Sequence, residues 1–285
     1  MTSVTPAAPG HPRHRSEGPS ARAWREALAS WAIPPSILEL APESPWYFPV
    51  ELFASRADAA ARSSTPSTRR ALEALPEGGS VLDVGCGAGA ASLALASRAA
   101  HLVGVDSSPD MLEAFAARTA SAGLRGTAVL GPWPDVAAEV PPADVVVCHH
   151  VAYNAPELDE FAIRLGDHAL RRVVVELTLE HPQSRLNPLW LRFHGLDRPS
   201  RPTADDALAV LAEVGLTPRT EVWTAHRAGG FARREDLVAW VRRQLCLPAS
   251  QDHEVGEAID DWVRELDGRV GLPDRPVMTI WWDVL

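Results

Sequence analysis

A chain of 285 residues with 46% hydrophobic and 22% charged residues can bury a sizeable core and does not have the composition of a disordered polymer. Its formal net charge of -10, from 37 acids against 27 bases, leaves no overall positive field to hold a polyanion, so nucleic acid is not expected as a partner. Every base is an arginine and alanine is abundant, which reads as coding bias rather than function.

Residues 1–20, rich in Pro, Ser, Gly and His, predict a disordered tail. From Ala21 the pattern changes: Trp24, Leu28 and Trp31 recur at i, i+4 and i+7 on one face of a helix that Pro34 and Pro35 stop. Together with the aromatic run Trp46, Tyr47, Phe48 and Phe53 they make an N-terminal helical and aromatic cap over 21–70. That run is either core or one wall of an acceptor pocket.

Residues 71–285 alternate between the two periodicities. Strands are predicted at 80–85, 101–105, 127–130, 144–148, 171–178 and 219–224, and helices at 89–98, 109–122, 156–168 and 203–214. Two more helices fall near 234–266, and a final strand opens at Pro276. The strands "VLDV", "HLVGV", "DVVVC" and "RVVVEL" are near-continuous apolar runs, as expected when both faces of a sheet are covered. The expected class is α/β: a doubly wound, Rossmann-like, mostly parallel sheet with helices on both faces. Two segments exceed ordinary connections, a lid-like stretch at 179–200 and a helical insertion at 232–268.

Cys86, Cys148 and Cys246 stand apart with no C-x-x-C spacing, which suits a reducing, cytoplasmic compartment and offers neither a zinc site nor a disulfide framework. No H-x-x-x-H or H-E-x-x-H occurs, and no metal is expected. No apolar run approaches the roughly 20 residues of a membrane span, and the first residues lack the order of a signal peptide.

The chemistry is carried by "VLDVGCGAGAA". Gly85, Gly87 and Gly89 fall in the turn after the first parallel strand, where absent side chains let a ligand approach the backbone. The spacing is G-x-G-x-G, whereas the dinucleotide fingerprint needs its third glycine one position later, which turns weight away from NAD. Asp106 ends the next strand 19 residues after Gly87. A carboxylate there accepts from both hydroxyls of a ribose, or else caps the helix that opens at Ser107 to Pro109.

Through "VLDVGCGAG", the acid in "VGVDSSPDML" and the strand "ADVVVCHHVAYN", the chain resembles the class I S-adenosylmethionine-dependent methyltransferases over about 80–178. The resemblance implies a seven-stranded sheet with an antiparallel last strand, supplied by "VMTIWWDVL", and S-adenosyl-L-methionine as cofactor. It implies cofactor contacts from Asp83, Gly85, Gly87, Gly89, Asp106, Ser107 and Met111, with Asp83 and the loop against the methionine end, Asp106 on the ribose and Met111 near the adenine. The family often holds the adenine amino group with an acid after the third strand, but this chain reads "AVLGPWPDV", and Pro132 cannot do that. Trp133 either stacks on the adenine or packs in the core.

His149 and His150 end the strand beside the glycine strand, at the edge where open α/β sheets bind ligands. Histidine has the intrinsic pKa to take a proton from a phenol or alcohol. Adjacent residues of an extended chain point apart, so one ring is expected to face the acceptor, His150, and the other to lie nearer the methionine end, His149. Tyr153 is a third catalytic candidate; the alternative is that these side chains only line the pocket. The acceptor is expected to meet Trp46, Tyr47 and Phe53 or Arg192 and His194, since arginines beside aromatics suit a carboxylate or a planar ring. The expected activity is methyl transfer to a small-molecule oxygen or nitrogen nucleophile, in bacterial specialised metabolism, by a monomer or homodimer. The alternatives are a protein or RNA methyltransferase, or a protein that binds the cofactor without methylating.

Overall fold

A period of two decides the architecture. Val81, Leu102, Val145, Val147, Val174 and Trp281 bury on one face of a sheet, and their neighbours Leu82, Val103, Val146, Val173, Val175, Ile280 and Trp282 bury on the other. Each such side chain contributes roughly 1.5–3 kcal/mol when fully buried, so both faces must be covered. The computed structural model describes residues 17–46, 64–225, 230–266 and 268–284.

The strands are β1 (Gly79–Val84), β2 (Ala99–Asp106), β3 (Arg125–Leu130), β4 (Ala143–His149), β5 (Ala169–Thr178) and β6 (Arg219–Ala225), a small hairpin of β7 (Arg264–Leu266) and β8 (Arg269–Gly271), and β9 (Arg275–Asp283). Seven of them form one sheet in the order β3-β2-β1-β4-β5-β9-β6. The chain's last strand is antiparallel to both neighbours, β5 and β6, and lies between them; the other pairings are parallel. The order reverses between β1 and β4, so a crevice opens at their carboxyl ends.

Helices α1 (Pro19–Ala29), α2 (Pro35–Leu38), α3 (Pro66–Ala74), α4 (Ala90–Leu93), α5 (Pro109–Ser121), α6 (Leu158–Asp167), α7 (Asn187–His194), α8 (Ala204–Glu213), α9 (Arg234–Gln244) and α10 (Asp252–Ala258) complete the described chain. Ala71, Leu93 and Phe115 bring α3, α4 and α5 onto one face of the sheet, and Trp24, Phe161 and Val210 bring α1, α6 and α8 onto the other. A third apolar cluster joins Ile33 to Trp190 of α7, Val241 of α9 and Val255 of α10. The lid-like stretch and the helical insertion thus share one core. The chain leaves the carboxyl ends of β5 and β6 to build this lobe and re-enters the sheet at the start of the antiparallel β9, so the lobe stands at the edge where the glycine loop and the histidines lie.

The expected elements differ from the observed ones at four places. The helix expected from Ala21 starts at Pro19, because the Glu213 carboxylate at the end of α8 accepts from Ser20 N and Ala21 N at 3.0 Å each and satisfies its first orphan donors; residues 17–20 therefore do not belong to a tail, while 1–16 lie outside the described residues. The helix expected at 89–98 is α-helical only over Ala90–Leu93; beyond it Leu95 N bonds Ser92 O and Ala96 N bonds Leu93 O, and the tighter i to i+3 pattern ends it. Asn154 closes a single 3-10 turn, and α6 starts four residues later at Leu158. The expected end of the helical insertion at 264–266 is strand β7.

Candidate functional site

The loop from β1 to α4 is left-handed at Gly85, Gly87 and Gly89, with φ of 69°, 49° and 86°, a region that residues with a Cβ rarely enter. Gly85 N and Cys86 N donate to Val105 O at 2.8 and 3.0 Å and stitch the loop to β2. A Cβ added to Gly85 would come within 2.3 Å of Val151 Cγ2, so the residue after the histidine pair closes directly on the loop. Asp106 holds the other side: its Oδ2 accepts from Gly87 N and its Oδ1 from Ser108 N, both at 2.9 Å. One bond to each oxygen leaves the carboxylate further acceptor capacity, so its bonding as scaffold and as ligand acceptor are compatible. Ser107 beside it is exposed and Met111, the first turn of α5, is buried.

Asp83 turns the other way. Its carboxylate is buried and accepts from Ser92 Oγ at 2.6 Å and Ser92 N at 3.2 Å inside α4; burial pushes its pKa up against those bonds. The thiols of Cys86 and Cys148 are likewise pushed up by burial, which leaves them inert. Cys86, Cys148 and Cys246 are all free and buried.

The two histidines do not point apart as an extended chain would require. His150 sits at φ 61°, and this left-handed turn brings both rings to one carboxylate, that of Glu176 on β5. His150 Nε2 is 3.0 Å from Glu176 Oε1, and His149 Nδ1 is 4.0 Å from Oε2. Backbone bonding fixes the turn, since His150 N donates to Glu176 O at 2.7 Å. A non-glycine residue held in this region is strained, and such strain gathers at functional sites. The expectation that the two rings diverge is corrected accordingly; of the two side chains, that of His150 is the more exposed.

Glu176 is 6% exposed. Burial works to raise its carboxyl, but the rings of His149 and His150 and the hydrogen bonds from His150 and Ser67 overcome that and hold it at about 2. Ser67 in the first turn of α3 donates to Glu176 Oε2 at 2.6 Å and shares a bond of 2.7 Å with Thr279 Oγ1 of β9, which accepts from Trp223 Nε1 of β6 at 3.0 Å. His149 lies between Glu176 and Asp83; burial lowers its pKa and keeps the ring neutral at pH 7. Its Nε2 is buried without a hydrogen-bond partner, an atom that a polar ligand group would satisfy.

The other expected site residues lie apart from this cluster or serve packing. Tyr153 is engaged in packing: its hydroxyl donates to Thr178 O at 2.8 Å, its ring stacks on Trp24 at 5.5 Å, and burial pushes its pKa up. Trp133 is a core residue and not an open stacking platform, with its Nε1 donating to Phe161 O at 3.4 Å and its ring edge-on to His168 at 4.9 Å. His194 bonds Leu245 O at 2.7 Å within the lobe, Arg192 is exposed beside Phe193, and Trp46 is exposed. Tyr47 and Phe53 lie outside the described residues. No group of three or more His, Cys, Asp or Glu able to hold a metal ion occurs among the described residues.

Glu176 and Ser67 were not anticipated from the sequence. The signal for Glu176 was present: a single carboxylate inside the apolar run "VVVEL" of a strand buried on both faces needs a partner. Ser67 carries no such mark, since "STPST" looks like any polar break, and only the fold brings it 109 positions along the chain to its acceptor.

Residues 81–168 match a family model described as a methyltransferase domain. No curated protein matches the chain in sequence. Among solved structures the fold is similar to the YcgJ protein of Bacillus subtilis, at 17% identity and TM-score 0.50, over 76% of this chain and 97% of that one. It is similar as well to a candidate methyltransferase of Bacillus halodurans C-125, at 17% identity and TM-score 0.50, over 77% and 99%. A magnesium protoporphyrin IX methyltransferase of Synechocystis PCC 6803 with bound SAH stands at 16% identity and TM-score 0.46, over 80% and 83%. At these identities the likeness is one of fold. No helix among the described residues is long and apolar enough to cross a membrane.

Proposed function

From the premise that this chain is a class I S-adenosylmethionine-dependent methyltransferase, we propose that its acceptor is a small molecule with an oxygen or nitrogen nucleophile, and that His150 receives the acceptor's proton. The observation that carries this reading is the His150–Glu176 pair at the carboxyl end of β4, one residue before Val151 meets the glycine loop. S-adenosylmethionine supplies there a methyl group on a positively charged sulfur. The residues present fit such a cofactor: a glycine backbone without side chains, the Asp106 carboxylate for a ribose, and the buried, unpartnered Nε2 of His149 for a polar group at the methionine end.

Alignment of the acceptor with the methyl group is the main task in such a reaction, worth on the order of 7–11 kcal/mol at best. A base adds about 10²–10⁴-fold where the nucleophile must lose a proton. A lobe with its own core at the carboxyl edge suits an acceptor that is a small molecule, and the net charge of -10 supplies no field for RNA. The buried free thiols agree with a reducing cytoplasm.

The test is methyl transfer from label-bearing S-adenosylmethionine to a panel of phenols, alcohols and amines, read as S-adenosylhomocysteine formed. Transfer to a phenol or amine that His150→Ala slows about 100-fold, with S-adenosylhomocysteine affinity by calorimetry unchanged, supports the reading. Transfer only to added RNA or protein overturns the acceptor class, and absence of S-adenosylhomocysteine binding overturns the cofactor site.

A further inference from the structure

We propose that a groove at the amino edge of the sheet, opposite the glycine loop, is a second ligand site, and that it takes an uncharged apolar molecule whose hydrogen-bond acceptor meets the indole N–H of Trp282. The site is separate from the crevice, and its test does not depend on methyl transfer.

The groove has a volume of about 440 Å³ and lies where α6 ends, β5 begins and β9 runs out, beside the turn from α8 to β6. Because β9 is antiparallel to β5, its end at Asp283 falls at the amino ends of the parallel strands, away from the glycine loop and the histidines. Ile163, Val214, Leu216 and Val284 wall the groove, and Trp282 lines it from below. Sites for small molecules are of this kind, mostly apolar concavities of roughly 300–1,000 Å³ with a few placed polar groups.

Trp282 supplies the polar group. It is 5% exposed, and its Nε1 is buried without a hydrogen-bond partner. An indole nitrogen only donates, and folded chains rarely leave a buried donor unmade. Gly166, in the last turn of α6, points the same way. It lines the groove, and its backbone is not left-handed. The one contact that a Cβ built on it would make with the described residues outside its own helix is with Trp282 Nε1, at an ordinary 3.7 Å. Neither backbone conformation nor crowding calls for glycine at this helical position, where alanine is the more stable residue. What the missing Cβ does is keep a methyl group off the indole N–H on the side of the groove. On its inner side the ring borders a cavity of about 20 Å³ lined by apolar side chains alone, Phe161, Leu165, Leu211 and Ile280 among them. A water there would find no partner beyond the indole itself, so the N–H is not satisfied from within, and the cavity gives the ring room to adjust as an acceptor approaches.

The charges at the groove select a neutral acceptor. Asp167 and Asp283 line it and are already held by arginines, Asp167 by Arg164 at 3.5 Å and Asp283 by Arg172 at 2.6 Å and by Arg219. A carboxylate would face both acids, and an ammonium would have to draw an acid away from its arginine. A ketone or amide carbonyl meets neither obstacle and accepts from the indole.

The probe is indanone, a fused ring with a single carbonyl, compared with indane, which lacks the acceptor, and with indane carboxylate. Titrations into the full-length protein are followed in ¹⁵N–¹H spectra through the indole N–H signals of its 10 tryptophans, and Trp282→Phe removes the one of interest. Indanone is expected to shift the Trp282 signal saturably, with or without S-adenosylhomocysteine present. Indane is expected to bind about fivefold more weakly, and indane carboxylate not at all. Gly166→Ala, which favours the helix and sets a methyl group beside Nε1, is expected to stay folded and to lose the indanone shift. A Trp282 signal unmoved up to the solubility limit of indanone overturns the proposal, and so do shifts confined to other indoles or indane bound as tightly as indanone. Where Trp282→Phe fails to fold, the signal displaced in Gly166→Ala identifies Trp282, and indanone binding unchanged in Gly166→Ala overturns the proposal.

Discussion

The two halves of the crevice are held together by different kinds of bonds. On the cofactor side, from β1 to the start of α5, polar groups find partners close by in sequence: Ser92 with Asp83 across 9 positions and Gly87 with Asp106 across 19. On the histidine side they reach across the whole chain, Ser67 to Glu176 over 109 positions and Ser67 to Thr279 over 212. One half is built by local turns, and the other exists only when α3, β5, β6 and β9 have assembled. Substitutions on the two sides should therefore separate cofactor binding from alignment of the acceptor.

The largest separation is expected from Trp24→Ala. Trp24 is 1% exposed, stacks on Tyr153 and donates from Nε1 to Ala155 O at 2.8 Å, so α1 braces the loop that follows the histidines. Removing it is expected to lower stability by about 3–5 kcal/mol, measured by urea unfolding, while S-adenosylhomocysteine affinity of the protein that remains folded stays within a few-fold. Gly85→Ala should do the reverse. The left-handed backbone costs about 1–2 kcal/mol for alanine and the 2.3 Å approach to Val151 adds an overpacking cost of about 1–3 kcal/mol. The expected outcome is a loss of S-adenosylhomocysteine binding out of proportion to the loss of stability, because the shifted atoms are those of the loop. If Trp24→Ala abolished binding and Gly85→Ala spared it, the division into two halves would fail.

The same contrast explains what could be foreseen from the sequence. The glycine loop, Asp106 and the alternating strands depend on neighbours along the chain, and the motif and its spacing announce them. The antiparallel β9 was foreseen through a family resemblance, and the fold adds that it lies between β5 and β6. The convergence of His149 and His150 was not foreseeable, because a period-two argument assumes an extended chain and His150 leaves it at φ 61°. Trp133 and Tyr153 carry rings and polar tips suited to a ligand, and only their partners, Phe161 O and Thr178 O, reveal that they pack. The start of α1 was missed for the same non-local reason, since its first amides are satisfied by Glu213, over 190 residues away.

A smaller effect tests the joint between the halves and the lobe through pH. His181, just past β5, is 8% exposed and stacked on Trp31 at 4.0 Å. Burial first, and then the charges of Arg275 and Arg198, lower its pKa to about 3 from 6.5. The unfolded chain binds a proton at this ring below pH 6.5 and the folded chain does not until about pH 3, so stability is complete above pH 6.5 and falls as pH drops through that window. The slope from this ring is about 1.4 kcal/mol per pH unit. Urea midpoints across the window in wild type and His181→Phe check it: the variant, which keeps a ring against Trp31, is expected to show a shallower decline. An equal decline in both would remove His181 as the cause.

The smallest effect is the one that separates packing from catalysis at the histidine loop. Tyr153→Phe removes only the hydroxyl that donates to Thr178 O at 2.8 Å and leaves the ring against Trp24 and His181. The expected loss is about 1 kcal/mol of stability, with kcat for the acceptor that the panel yields unchanged within about twofold. The argument turns on where the hydroxyl proton points. A phenol whose proton is committed to a backbone carbonyl, and whose pKa burial pushes up, does not form the phenolate that would take an acceptor's proton near neutral pH. His150 has an intrinsic pKa in the right range and an ionised partner in place. A kcat that fell 100-fold in Tyr153→Phe, with stability changed by only the expected amount, would move the base from His150 to Tyr153 and would require the β5 end to open during turnover.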